Sequence, residues 1–290
     1  ISPEHMLQFG TIDAVASEEL EASNYSWQLL VNVADVDAKY LDGISYKSYG
    51  VGQPADYQAE VIGSHGVVGQ QLLIKSADSE DFKVSTDYGG RQGATIVLAA
   101  VAVAKMLSID NDTIVSAVAD LKPFAGRLQI LEGINDSTII DDTYNSSPLA
   151  TKAALDLLYA TDAKQKIAIL GDMNELGDSS VQEHRDLGTY CRADQLDYVV
   201  TIGTKSRDDL APAAEAAGIE GCILKIRRLR CPVLRNQRFC GQEQHPALGD
   251  PKSRIHEVEI LTGFNHILEV HDDAGHELQR GERIWHDNRE

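Results

Sequence analysis

The sequence predicts an α/β protein in two units, the second built on a mostly parallel sheet with right-handed crossovers. Three observations carry that prediction. From Leu128 onward, strand candidates alternate with helix candidates at the spacing of βαβ units. Turns rich in Gly, Asp and Asn follow two of those strands, where open α/β sheets gather their functional groups. Between the halves, Lys122-Pro123-Phe124-Ala125-Gly126 breaks a helical pattern and marks a domain boundary.

In the first unit, Trp27 to Val33 reads as a buried strand and Gly66 to Ile74 as another, with polar, Gly-containing turns between them. Gly93 to Leu107 is apolar all round, as a helix packed on several sides must be. Asp110 to Leu121 is amphipathic and supplies a second helix. In the second unit the strand candidates are Leu128–Glu132, Thr138–Asp141, Lys166–Leu170 and Tyr198–Ile202. The helix candidates are Pro148–Tyr159, Val181–Arg192 and Arg207–Ala217. The turns Asp141–Ser147 and Gly171–Gly177 fall at carboxyl ends of strands and are expected to share one crevice. After about residue 224 the texture changes: Lys225 to Arg254 holds eight Lys or Arg and two acidic residues, and periodicity returns only at Ile255–Leu268. The segment 222–290 therefore receives no assigned structure; a frameshifted or disordered tail and a divergent extension both account for it.

With 290 residues, 43% of them apolar, the chain can bury two ordinary cores, which excludes a disordered protein. The net charge of −19 argues against nucleic acid as a partner, because phosphate binding needs clustered Lys and Arg. No apolar run approaches the length of a transmembrane helix, so no membrane insertion is expected. Ile1-Ser2-Pro3-Glu4-His5 has no basic or apolar signal character, and four cysteines make no disulfide framework. A cytoplasmic location follows as the expectation, and a chain opening on Ile suits a fragment of a longer protein.

Ile139-Ile140-Asp141-Asp142-Thr143-Tyr144-Asn145 sets two carboxylates and an amide where a buried strand meets a loop. Carboxylates there can accept from ribose hydroxyls, and Asn can meet a base edge. Ordinary turn chemistry explains the same residues equally well, with Pro148 in the first turn of a helix. Gly126-Arg127 precedes the first strand of the second unit; an Arg at such a junction can clamp a phosphate, although a surface Arg is commoner. The glycines of Gly171-Asp172-Met173-Asn174-Glu175-Leu176-Gly177 suit a tight strand-to-helix turn as well as a ligand. His5 has ligand chemistry but no partners at diagnostic spacing. Cys222, Cys231 and Cys240 stand nine apart, too far for the usual zinc spacing.

Together, Gly126-Arg127-Leu128-Gln129, Ile139 to Pro148, the Gly-Asp-Met-Asn-Glu-Leu-Gly segment and His184 resemble the Mur ligases in order and spacing. Asp-Asp-Thr-Tyr-Asn followed later by Glu-Leu-Gly resembles the branch of that family that adds D-alanyl-D-alanine. Ile1 to His5 with Phe9-Gly10 resembles the family's metal-binding histidine segment. The likeness runs over roughly residues 1–221. It implies the later part of a central ATP-binding domain over 1–124 and a Rossmann-like C-terminal domain over 125–221. It implies ATP and Mg²⁺ as cofactors, and UDP-MurNAc-tripeptide and D-Ala-D-Ala as substrates. In the implied reaction ATP phosphorylates the peptide carboxylate, and the dipeptide amine then displaces phosphate. Carried over, His5 is a Mg²⁺ ligand, Arg127 a phosphate contact, and Asp141, Asp142 and Asn145 nucleotide contacts.

Three departures stand against the family pattern. No Gly-rich loop with Lys and Ser or Thr occurs in these 290 residues, so an isolated chain of this sequence is expected not to turn over ATP. Glu19 stands where the family carries a carbamylated lysine; it supplies a carboxylate directly or marks an altered catalytic and metal site. Gly90-Arg91-Gln92-Gly93 stands where the family has Gly-x-His-Asn. Two alternatives remain open: another ligase of the superfamily, such as a folylpolyglutamate synthase or a lipid II amidating subunit, and a non-catalytic nucleotide-binding or interaction module.

Overall fold

The computed structural model describes residues 1–77, 79–133 and 137–219, with the backbone of Glu257–Thr262, Val270–His271 and Glu277–Leu278. The chain divides into two compact units. One is Ile1–Phe124 with Glu175–Ser179; the other is Ala125–Asn174 with the residues from Ser180 onward.

The first unit opens with a single helical turn, α1 (Met6–Phe9), and a longer helix, α2 (Ile12–Leu20). Thr11 caps α2 by accepting the Ala14 amide at 3.1 Å. Five strands follow: β1 (Leu30–Asn32), β2 (Lys47–Val51), β3 (Tyr57–Ser64), β4 (Gln70–Ser76) and β5 (Ser79–Thr86). They pair in chain order, the first two pairings parallel and the last two antiparallel. Helices α3 (Gly90–Met106) and α4 (Asn111–Asp120) supply the other half of the core. Leu72, Ile74 and Val84 of the sheet pack with Val97, Leu98 and Val101 of α3 and with Ile114 and Val118 of α4. Each such side chain contributes about 1.5–3 kcal/mol through burial.

Both helices lie where the apolar pattern predicts them. The strands differ. The expected strand from Trp27 shrinks to β1, and Trp27 itself is 85% exposed. The expected strand from Gly66 starts at Gln70, because Gly66–Val68 forms a 3₁₀ turn ending at Gly69. With φ at +139°, Gly69 brings the backbone so close to Thr86 O that a Cβ would sit 2.3 Å away. Strands β2, β3 and β5 were not expected, although β5 alternates over its last six residues.

In the second unit β6 (Gln129–Glu132) runs antiparallel to β7 (Ser137–Asp142). Then come α5 (Pro148–Tyr159), β8 (Gln165–Gly171), α6 (Ser180–Tyr190), β9 (Tyr198–Ile202), a π turn at Ser206–Leu210 and α7 (Ala211–Ala216). Every element from 128 to 217 falls within a few residues of its predicted place. Ile139, Ile169 and Val200, one each from β7, β8 and β9, share a core cluster. Burial on both faces explains why these strands read as apolar runs.

The tail, which received no assigned structure, supplies part of this sheet. A further strand, β10 (Glu257–Thr262), lies between β7 and β8, parallel to both, giving the order β6-β7-β10-β8-β9. A two-residue ribbon, β11 (Val270–His271) and β12 (Glu277–Leu278), completes the described backbone. Cys222, Cys231, Cys240 and the basic stretch 225–254 lie outside the described residues.

Candidate functional site

The carboxyl end of β7 carries the candidate nucleotide contacts. Adjacent strand residues point to opposite faces, so Asp141 and Asp142 are not a pair of carboxylates facing one ligand. Both are buried, at 8% and 7% exposure. Asp141 Oδ1 accepts the Thr143 amide at 3.1 Å, a turn contact that bends the chain away from the strand. Asp142 Oδ1 accepts the Leu128 amide, also at 3.1 Å. Each carboxylate thus spends one oxygen on the backbone and keeps a second. Burial pushes Asp142 up to about 6, against the opposing pull of the Leu128 amide and the Arg127 guanidinium; Asp141 adds to the rise.

Gly126 and Arg127 fold onto this turn. Tyr144 donates its amide to Gly126 O at 3.0 Å. A Cβ on Gly126, whose φ is +71°, would lie 3.0 Å from Tyr144 N. The exposed Arg127 stacks its guanidinium 4.1 Å above the Tyr144 ring. Asn145 is exposed beside them. Ser147 then caps α5, accepting the Ala150 amide at 3.4 Å, with Pro148 in the first turn. Turn chemistry accounts for the contacts of this segment, and it leaves Arg127 and Asn145 exposed.

The second loop starts farther away than the sequence suggested. Because β10 intervenes, the ends of β7 and β8 are two strand spacings apart, about 10 Å. At the end of β8, Asp172 Oδ1 accepts the Ser206 amide at 2.7 Å, capping the helical segment after β9. Gly203, with φ at +107°, makes room for that carboxyl: a Cβ there would meet it at 2.4 Å. Asp172 belongs to the Gly171–Gly177 segment singled out in the sequence, but Gly203 does not stand out there, although a Gly directly after a predicted strand is a signal for close backbone approach. His184 is fully buried in α6 and bonds at both ring nitrogens.

His5 and Glu19 belong to the first unit. His5 sits in left-handed backbone, φ 55°, just before α1, and its Nδ1 lies 2.5 Å from Glu175 Oε2. Leu7 N donates to Glu175 O at 3.1 Å, within the same unit. Glu19 is exposed on α2. Among the described residues no three His, Cys, Asp or Glu side chains gather as a metal-binding group. The donors that His5 and Glu19 provide do not fit a Mg²⁺ site by themselves. At Gly90–Gly93 the glycine at position 93 has a packing cause. The buried Gln70 amide donates to Tyr88 O and Gly90 O, and a Cβ on Gly93 would lie 2.8 Å from Tyr88 C.

A mostly parallel sheet with polar turns at its strand ends and a Gly-Arg entry segment defines an open α/β domain, a class that binds ligands outside the carboxyl ends of its strands. Residues 126–231 match the family described as Mur ligase, glutamate ligase domain. Its relatives include the UDP-N-acetylmuramoyl-tripeptide–D-alanyl-D-alanine ligase of Bacillus subtilis, 28% identical over 207 residues, which span 70% of this chain and 44% of that protein. The enzyme of the same name from a Synechocystis species is 32% identical over 58% of this chain and 36% of its own length. Among solved structures, MurF from Acinetobacter baumannii aligns with a TM-score of 0.66 at 26% identity, over 77% of this chain and 48% of that one. MurF ligase from Thermotoga maritima in complex with ADP aligns with a TM-score of 0.67 over 91% and 56%; at 20% identity that likeness shows the fold alone. The chain spans under half the length of the curated relatives it matches. No helix among the described residues is long and apolar enough to cross a membrane.

Proposed function

We propose that the chain is part of an ATP-dependent ligase of peptidoglycan precursor synthesis that joins UDP-MurNAc-tripeptide to D-Ala-D-Ala through an acyl phosphate. One observation carries the reading: Gly126-Arg127 is folded against the Asp141–Tyr144 turn at the carboxyl end of β7. In this reading the free oxygen of one of the two carboxylates, Asp141 or Asp142, accepts from a ribose hydroxyl and Asn145 meets the base. Arg127, a planar fork, leaves Tyr144 to contact phosphate. The domain reading stands with it: 1–124 as the later part of an ATP-binding domain, 125–221 as a Rossmann-like closing domain. ATP and Mg²⁺ are its cofactors and the cytoplasm its place, where the two substrates meet ATP.

A second reading, a nucleotide-binding or interaction module without turnover, is favoured by one fact. The 290 residues hold no Gly-rich loop with Lys and Ser or Thr to cradle the ATP phosphates. The test is phosphate release and amide product with ATP, Mg²⁺, UDP-MurNAc-tripeptide and D-Ala-D-Ala. It is run on this chain and on the protein made from the genomic reading frame that contains it. The ligase reading expects product only from the latter, and only with D-Ala-D-Ala as amine. Product with glutamate or ammonia in its place points to a folylpolyglutamate synthase or an amidating subunit. No product from either protein leaves the module.

A further inference from the structure

His184 sits in the first turns of α6 with no exposed surface. Its Nδ1 lies 2.7 Å from Ser180 O, and its Nε2 lies 3.0 Å from the Met173 amide nitrogen. A carbonyl oxygen only accepts and a backbone amide only donates, so this pair of contacts fixes the ring. The proton must be on Nδ1 and the lone pair on Nε2. An imidazolium would present N–H to N–H at Met173 and leave two buried donors opposed. Met173 is itself fully buried, so its amide has no recourse to solvent.

We propose that His184 is a positioning residue: as a neutral, Nδ1-protonated imidazole it sets the path of the chain leaving β8, and protonation releases that path. The charged groups facing the ring come from two elements: Asp172 after β8, and Lys205 and Asp209 after β9. Arg185, on α6 itself, pairs with Asp209 at 3.2 Å. Asp172 and Asp209 favour the charged ring and Lys205 opposes it, but burial is the larger influence and holds His184 below its ordinary 6.5. The pH dependence follows. The contact is complete above 6.5 and is lost as pH falls through the lower folded value. This role does not depend on the ligase reading, because it concerns the folded chain alone.

The test is ring-nitrogen NMR of the full chain labelled at histidine, together with amide exchange at Met173. At pH 7.5 His184 is expected to show a pyrrole-type Nδ1 and a pyridine-type Nε2, the minority tautomer of a free histidine. An Nε2–H tautomer or an imidazolium overturns the proposal. On acidification, the protection of the Met173 amide relative to its intrinsic exchange rate at each pH is expected to fall at least tenfold in step with the ring's titration. His184→Gln, which still offers a donor and an acceptor, should keep Met173 protected at low pH; His184→Leu should lose protection at every pH. If the Leu variant does not fold, the wild-type ring shifts and the Gln variant decide. Met173 protection indifferent to ring protonation rejects the positioning role.

Discussion

The backbone amide of Leu128 donates to Asp142 Oδ1 across 3.1 Å, tying the residue before β6 to the residue that ends β7. Leu128 has φ at +51°, a left-handed conformation that costs a non-glycine residue about 1 kcal/mol or more. The bond to Asp142 helps to hold it there. It also makes Asp142 measurable without any ligand. Its folded value of about 6 exceeds the ordinary 3.8, so the native state holds the proton longer than the unfolded chain does. Stability from this group is fully present below 3.8, declines as pH rises through 6, and then levels off. A shift of this size corresponds to about 3 kcal/mol. Asp142→Asn keeps the acceptor and removes the titration. In urea unfolding, the variant's stability relative to wild type should rise by about 2–3 kcal/mol from pH 4 to pH 7.5. A difference that stays flat across that range would show Asp142 to be ionised throughout.

Gly203 and Asp172 make a second coupled pair. Gly203→Ala places a Cβ 2.4 Å from the Asp172 carboxyl and strains a residue at φ +107°. The expected loss is about 3 kcal/mol, the sum of backbone strain and displacement of a cap. Asp172→Ala alone should cost about 1 kcal/mol through the lost Ser206 contact. The double variant should lose less than the two singles combined, since removing the carboxyl frees the space for the methyl. Simple additivity in denaturant midpoints would mean that the carboxyl does not occupy that space.

The second unit was legible because its signals are local. Buried parallel strands read as apolar runs, and Ser147-Pro148 announces the start of α5 by cap and ring. The first unit hid more. Strands β2 and β3 keep exposed or half-exposed residues on both faces, so no sustained period of two emerges, whereas β5 alternates over its last six residues and was readable. At the site, the residue types of Arg127, Asp141, Asp142 and Asn145 were visible, but their present partners were not. The Leu128–Asp142, Asp172–Ser206 and Met173–His184 bonds join residues 14, 34 and 11 positions apart through backbone amides, which carry no sequence signature. Strand β10 was missed because nothing in its composition says where in a sheet it will dock.

Arg127 over Tyr144 is a contact that the proposed function must break. Exposed cation–π pairs are worth about 0.5–1 kcal/mol, little enough for a phosphate to displace. Arg127→Lys keeps the charge but loses the planar stack and the forked donors. A double-variant cycle with Tyr144→Leu should therefore return a coupling of about 0.5–1 kcal/mol in the free chain. In calorimetric titration with Mg²⁺-ADP, Arg127→Lys should bind about tenfold more weakly, whereas Tyr144→Leu should bind no worse. Equal affinity for wild type and Arg127→Lys removes Arg127 from the nucleotide site.

Gly188, inside α6, tests whether propensity or packing governs this helix. Replacing a helical Gly by Ala ordinarily adds about 1 kcal/mol of stability. Here a Cβ would lie 2.3 Å from Leu210 O, 2.7 Å from Ala213 Cβ and 3.0 Å from Ala214 N. Two of these three neighbours are backbone, and none is the far end of a flexible side chain. The helical segment that follows β9 would have to move as a body, in a core packed too densely to yield cheaply. Overpacking of this kind costs about 1–3 kcal/mol and, against rigid backbone, belongs at the upper end. The clash therefore outweighs the propensity gain, and Gly188→Ala is expected to destabilise by about 2 kcal/mol net. Thermal and urea unfolding measure it directly, and an unchanged or raised midpoint would show that α6 and α7 are not in the close contact described. Ala213→Gly in the same background relieves only one of the three contacts, so it should recover little.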